Sequence, residues 1–227
     1  MIPRQLEPEV MDESGEAQEY NQMDHREVNE LFVTDLAWEV TQYDLTGVLQ
    51  VLDVGTGTAL IPIEICRQSK EPHQIIGIDL SKEMLKLGEQ NVEEAKLSEQ
   101  ISLKSIDAKQ IPEDLGPFDV VISNSIVHHI PEPADVFREM VRVLKPGGLL
   151  FIRDLMRPES EDELMKLVEE YAGEESFYAQ KLLANSLHAA LTLEEVNELA
   201  EEAGIDRFSL NATSDRHWTL SGSKAAE

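Results

Sequence analysis

The stretch VLDVGTGTALIPIEIC, Val51–Cys66, decides the fold. Its apolar opening, which reaches back to Val48, reads as a short buried strand ending at Asp53 and Val54. Two glycines, Gly55 and Gly57, follow, and from Ala59 to Gln68 the apolar residues return at helical spacing. A strand that passes through a glycine turn into a helix is the first half of a βαβ unit. Open sheets built from such units bind ligands at the carboxyl ends of their strands, where the strand order reverses. Glycine lets the backbone approach a ligand closely and adopt conformations closed to other residues.

The same alternation continues outward from this turn. Gln74–Asp79, Ile101–Ser105, Phe118–Ser123 and Leu149–Asp154 are further apolar runs of strand length. Helices are expected between them: one opened by Ser81 as N-cap and running to about Ala95, another over Pro133–Leu144, stopped by Pro146, Gly147 and Gly148. Upstream, Val28, Leu31, Phe32, Leu36 and Val40 place one or two helices over Met23–Tyr43. Downstream, Glu159–Leu187 reads as two helices. Thr192-Leu193-Glu194-Glu195 is a capping box for a third helix, which Gly204 ends. Ile205–Thr213 and His217–Ser223 are two final strands around the turn residues Ser214 and Asp215. The expected architecture is α/β: a Rossmann-like, doubly wound, seven-stranded sheet, mostly parallel, with a C-terminal antiparallel hairpin and helices on both faces. Residues 1–22, acidic and poor in large apolar side chains, read as a flexible arm. Residues 23–227 read as one domain: a helical cover (23–45), a ligand-binding core (47–155), a helical insertion (156–191), and a closing helix and hairpin (192–227).

Composition narrows the function. The chain has 227 residues and a formal charge of −26, from 45 acidic and 19 basic residues. Such a surface repels phosphate backbones, so nucleic acid is not an expected partner. No apolar run approaches the ~20 residues of a membrane span, and the N-terminus lacks the pattern of a secretory signal. Cys66 is the only cysteine, which excludes an intramolecular disulfide, a four-cysteine zinc site and a two-cysteine redox motif. The cytoplasm is the expected compartment, and no metal site is expected.

Asp79 ends the second strand, where a carboxylate can accept hydrogen bonds from a ribose diol. A nucleoside ligand follows, and two cofactors compete for it. A dinucleotide calls for G-x-G-x-x-G, but Leu60 stands at the third glycine's place and Asp53 would repel a pyrophosphate. S-adenosylmethionine carries a sulfonium and an ammonium, which suit Asp53.

The run Val51–Ala59 resembles the first motif of class I S-adenosylmethionine-dependent methyltransferases, with Ala59 in the place of the last glycine. The resemblance continues through GIDLSKEML, SIDAKQIP, FDVVISNSIVHHIPEP and VLKPGGLLFIRD, covering Leu49 to about Leu155. It is nearest to the small-molecule branch that includes the quinone-biosynthesis enzymes. The resemblance implies a cofactor site at Asp53, Gly55, Thr56 and Gly57, with Gly55 and Gly57 under the methionine moiety. Asp79 would take the ribose, Leu80 and Met84 would flank the adenine, and Asp107 and Ala108 would meet its edge. Asn124 and Ser125 would border the amino-acid end.

Methyl transfer from a sulfonium needs alignment, exclusion of water and, for some acceptors, a base. His128, His129 and Asp154 are the candidate catalytic residues. Arg153 is a candidate carboxylate clamp or one half of a local Arg–Asp ion pair. Tyr20, His25, Arg26, Tyr178 and His188 are candidates to face the acceptor from the helical cover. The expected activity is methyl transfer to a small molecule. The alternatives are a cofactor-binding regulator without catalysis, a protein methyltransferase, and an NAD-dependent oxidoreductase. The acceptor atom and the oligomeric state stay open.

Overall fold

A computed structural model describes residues 2–8, 17–18, 20–21 and 25–224. Helix α1 (Arg26–Gln42) precedes β1 (Gln50–Val54), α2 (Leu60–Gln68), β2 (Gln74–Asp79), α3 (Lys82–Glu94), β3 (Ile101–Ser105) and β4 (Phe118–Asn124). A single 3₁₀ turn (Val127–His129) leads to α4 (Ala134–Arg142) and β5 (Leu144–Leu155). Helices α5 (Glu161–Ala172), α6 (Phe177–Ala189) and α7 (Leu193–Glu202) and the hairpin β6 (Asp206–Ala212) and β7 (His217–Ser223) complete the chain.

The strands form one seven-stranded sheet in the order β3-β2-β1-β4-β5-β7-β6. The first five are parallel, and β7 runs antiparallel to both β5 and β6, as the sequence reading expected. The order reverses between β1 and β4, which defines the switch point.

Side-chain alternation along the strands builds two cores, one on each face. Leu52, Val54, Val121, Leu150 and Ile152 face α4, α7 and the buried Trp218. Val51, Val120, Ile122, Leu149 and Phe151 face α1, α2 and α3. Burial on both faces is why these strands read as apolar runs rather than alternating ones. The same alternation separates Arg153 from Asp154. Arg153 falls on the α1 face, where its Nη2 donates to Asp35 Oδ2 at 2.6 Å and its Nε to Thr219 Oγ1 at 2.8 Å. Asp154 falls on the opposite face. The local Arg–Asp ion pair expected for Arg153 does not form; its partner is the distant Asp35, and Arg153 does not line the ligand cleft.

Local signals account for most element ends. Ser81 Oγ accepts from Met84 N at the start of α3, and Thr192 and Glu195 form the expected capping box of α7. The ending of α4 needs correction: the helix stops at Arg142 rather than Leu144, and β5 begins at Leu144, before the Pro146-Gly147-Gly148 break. Leu144 pairs with Phe118, and the register then jumps to Val120–Leu149. The proline and glycines form an irregularity inside the strand pairing, where a helix stop was expected.

The N-terminal arm also needs correction over residues 2–8, which are docked. Ile2 is buried with Leu155, Leu164, Leu167, Val168 and Leu187 against α5 and α6. The Arg4 guanidinium donates to the carbonyls of Ala189, Pro131, His128 and Ile130. Of the rest of the expected arm, residues 1, 9–16, 19 and 22 lie outside the described residues.

Candidate functional site

The carboxyl ends of β1, β2, β3 and β4 open into one cleft of ≈ 1080 Å³, open solvent at its mouth included. Its floor is the glycine turn. The N–H groups of Gly55 and Thr56 donate to Ile78 O at 2.8 and 3.0 Å, which ties the turn to β2. Gly55 has φ +75°, and a Cβ there would sit 2.2 Å from Ile126 Cγ2. Gly57 has φ +51°, and a Cβ there would meet nothing within 4 Å. One glycine makes way for the β4 loop; the other keeps the turn in a left-handed conformation that favours glycine. Ala59, in the place of the resemblance's last glycine, also holds a left-handed conformation, φ 62°, just before α2.

Asp79 joins the two loops. Its Oδ2 accepts from Gly57 N and its Oδ1 from Ser81 N, both at 2.8 Å. Burial raises its pKa, and the backbone donors offset part of that rise. Asp53, 2 % exposed, lies beneath the turn. Burial, with Asp79 adding repulsion, pushes its carboxyl up to about 7, the neighbouring Thr56 offsetting part of the rise. The buried atoms Asp53 Oδ2, Thr56 Oγ1 and Thr58 Oγ1 have no hydrogen-bond partner, and all three residues line the cleft. Unpaired buried polar atoms are costly, so a floor that gathers three of them is built for a polar ligand.

The remaining wall comes from three loops. Leu80 lies at the mouth and Met84 is buried beneath it. Asp107 and Ala108 follow β3, with Asp107 Oδ1 accepting from Lys109 N at 2.9 Å. Asn124 and Ser125 close the far end, Ser125 with φ 58° and its N–H donating to Arg153 O. The cleft thus gathers Asp53, Gly55, Thr56, Gly57, Asp79, Leu80, Met84, Asp107, Ala108, Asn124 and Ser125, every position the sequence singled out for a cofactor.

The candidate catalytic residues divide. His129 lines the cleft; His128 and Asp154 stand behind it, outside the lining. Asp154 is fully buried and accepts from His128 Nδ1 at 2.5 Å, Val127 N at 2.6 Å and Leu155 N at 2.6 Å. Burial alone would neutralise both partners. The mutual attraction outweighs it, so His128 is raised above the usual histidine value and Asp154 held below the usual carboxylate value. Burial and the neighbouring His128 charge lower His129 to about 4, leaving it neutral.

Of the cover candidates, Tyr20 lines the cleft and His25 stacks on it at 4.5 Å, with its Nε2 2.9 Å from Tyr20 O. Arg26, Tyr178 and His188 do not line it. The sequence reading missed Asn29, Ile126 and Ile130 in the wall and Asn91 behind it. Asn91 Nδ2 donates to both Thr58 O and Asn21 Oδ1, tying the cover to the glycine turn. It also missed Glu7, whose carboxylate lies beside both His128 and His129.

Comparisons with known proteins identify the family and the fold. Residues 45–205, well over half the chain, match the family profile described as a methyltransferase domain. The chain is 34% identical over 119 residues to the ubiquinone/menaquinone biosynthesis C-methyltransferase UbiE of Geobacter sp. (strain M21), covering 52% of this chain and 51% of that one. It is 38% identical over 110 residues to the demethylmenaquinone methyltransferase of Porphyromonas gingivalis, covering 48% and 45%. The chain thus spans about half the length of the curated relatives it matches. Among solved structures, a SAM-dependent methyltransferase from Aquifex aeolicus shares the fold, with a TM-score of 0.68, 19% identity, and 94% and 99% of the two chains covered. On the profile match, the chain belongs to the methyltransferase-domain family.

Proposed function

We propose that this protein transfers a methyl group from S-adenosylmethionine to a small-molecule acceptor, leaving S-adenosylhomocysteine. The observation that carries the reading is the cleft floor. Asp53, Thr56 and Thr58 hold unpartnered buried oxygens at the switch point of the sheet. An acid at that place suits a cation and disfavours a pyrophosphate, which sets the dinucleotide alternative aside. When bound, S-adenosylmethionine supplies a methyl group already activated by its sulfonium charge.

The chain's own residues would act as follows. Asp53 offers a buried negative charge to the cationic end of the ligand. Asp79, held by Gly57 N and Ser81 N, keeps lone pairs for the ribose hydroxyls. Leu80 and Met84 enclose the adenine, and Asp107 and Ala108 meet its edge. Asn124 and Ser125 border the amino-acid end. Tyr20, at the Asp53–Asp79 end, covers the ligand and excludes water. His129, neutral at the cleft wall, is the side chain placed to meet the acceptor. His128 and Asp154 are positioning residues that fix the 3₁₀ turn on which His129 sits.

By likeness to the relatives, the acceptor class is a quinone precursor, and the cytoplasm is the proposed site of action. Among the described residues no helix is long and apolar enough to cross a membrane. The test is turnover: purified protein with S-adenosylmethionine and a panel of hydroxylated aromatic acceptors, with S-adenosylhomocysteine and methylated product read by mass spectrometry. Product formation in step with S-adenosylhomocysteine supports the reading. Cofactor binding without turnover on any acceptor would favour a regulator that retains the site, and turnover only on basic proteins would favour protein methylation.

A further inference from the structure

Glu7 is a charged side chain beside the two histidines that methyl transfer does not use. Its segment is fixed by Arg4, which donates to four backbone carbonyls, and by Ser186, whose Oγ donates to the Glu7 carboxylate at 3.1 Å. Glu7 Oε1 lies 3.2 Å from His129 Nδ1 and 3.5 Å from His128 Nε2. Neither contact has the alignment of a hydrogen bond, and His129 Nδ1 is buried without any hydrogen-bond partner. Three donor atoms, one from Glu7 and one from each histidine, lie within 4.8 Å of one another.

We infer that Glu7, His128 and His129 form a binding site for a divalent transition-metal ion of the Zn²⁺ class, set behind the cleft, with His129 the one member of the trio that also lines it. The spacing fits that chemistry. Zinc bonds of about 2.0–2.2 Å to nitrogen and oxygen put tetrahedral ligands about 3.3–3.5 Å apart; the two Glu7–histidine pairs lie at 3.2 and 3.5 Å, and the histidine pair lies within 4.8 Å. The surroundings fit as well. His128 Nδ1 faces Asp154 Oδ1 at 2.5 Å, which leaves Nε2 free to ligate, and a carboxylate behind a ligating histidine is the usual outer-shell partner. Two carboxylates, Glu7 and Asp154, balance a divalent charge when both imidazoles are neutral. Two imidazoles in the set favour Zn²⁺ over the hard cations Mg²⁺ and Ca²⁺.

Three protein ligands leave a fourth position for water or an oxygen of a bound molecule, the arrangement of a reactive rather than a structural zinc. Because His129 lines the cleft, an acceptor hydroxyl is the natural occupant; that last step rests on the methyltransferase reading, whereas the ion site itself does not. The site departs from the sequence expectation of no metal, since Glu7 lies in a segment that sequence alone reads as a loose arm.

The test is metal uptake by the full chain without cofactor, by titration calorimetry with Zn²⁺ and by the visible absorption of Co²⁺. Mg²⁺ serves as the control for loose binding to the acidic surface. The expected result is one Zn²⁺ per chain, a tetrahedral Co²⁺ spectrum, and uptake weakened at least about tenfold in both Glu7→Gln and His129→Gln. Melting curves confirm that the variants fold. Glu7→Gln, equal in size and still able to accept from Ser186, decides the matter if His129→Gln does not fold. Zn²⁺ uptake no tighter than Mg²⁺, or uptake unchanged by both substitutions, would overturn the site. Since no cofactor is present, either result leaves the methyltransferase reading to its own turnover test.

Discussion

Asp53 carries a cost that the unliganded protein bears alone, and Asp53→Asn should remove it. Burial moves its carboxyl from an ordinary value of 3.8 to about 7. A raised acid binds its proton more tightly in the folded chain, so stability falls as pH rises from the unfolded value through the folded one. Full ionisation sets a ceiling of about 4 kcal/mol on the penalty, at ~1.36 kcal/mol per pKa unit. Between pH 6 and 8.5 the part still to be lost is about 1.4 kcal/mol, roughly 3–6 °C in Tm for a domain of this size. His128, raised toward protonation by Asp154 and Glu7, gives a loss in the same direction, but it persists in the variant. The difference between the two proteins therefore isolates Asp53, provided the sites add. Melting curves of both, without ligand, at pH 6 and 8.5 make the assay. Wild type should drop by that extra amount while Asp53→Asn stays flatter. S-adenosylmethionine binding should strengthen with pH across 7 in wild type and be weaker and pH-insensitive in the variant. Parallel pH profiles for the two proteins would refute the argument, because Asp53 would then not titrate in this range.

Two further predictions concern neighbouring residues. Gly55→Ala forces a methyl to within 2.2 Å of Ile126 in a left-handed backbone and should cost more than about 2 kcal/mol, whereas Gly57→Ala, with open space around it, should cost about 1 kcal/mol of backbone strain; urea midpoints compare the two. Asp154→Asn strips the charge from three donors in a fully buried position and should cost about 3–5 kcal/mol near neutral pH. The gap to wild type should narrow as pH rises through the elevated His128 pKa, because the pair's contribution is complete below the unfolded histidine value and fades above the folded one; denaturant titrations at pH 6 and 9 measure it.

The sheet was legible because its five parallel strands are buried on both faces, so each stands out as a short apolar run between turn residues. The cleft was legible for a related reason. Its acidic lining residues sit at or just past strand ends, where Asp53, Asp79 and Asp107 break the apolar pattern. What escaped depends on contacts between distant segments. Val143 and Leu144 continue the apolar pattern of α4, and only the pairing of Leu144 with Phe118 assigns Leu144 to β5. Arg153 and Asp154 are adjacent in sequence, yet strand alternation sends them to opposite faces. Residues 2–8 have the composition of a loose arm, and their docking rests on Ile2 buried against α5 and α6 and on Arg4 meeting four carbonyls near the α6 end and the 3₁₀ turn. No local pattern announces such a contact, so Glu7 stayed invisible until the fold placed it beside His128 and His129.

The most direct test of the central claim is a calorimetric titration of wild type and Asp79→Ala with S-adenosylmethionine, S-adenosylhomocysteine and NAD. The account predicts dissociation constants of about micromolar, near −8 kcal/mol, for the first two ligands and no uptake of NAD. Loss of the ribose hydrogen bonds to a charged acceptor, together with release of the Gly57 and Ser81 N–H groups, should weaken binding at least about 100-fold in the variant. Absence of binding by either adenosyl ligand, equal binding by both proteins, or preferential uptake of NAD would contradict it.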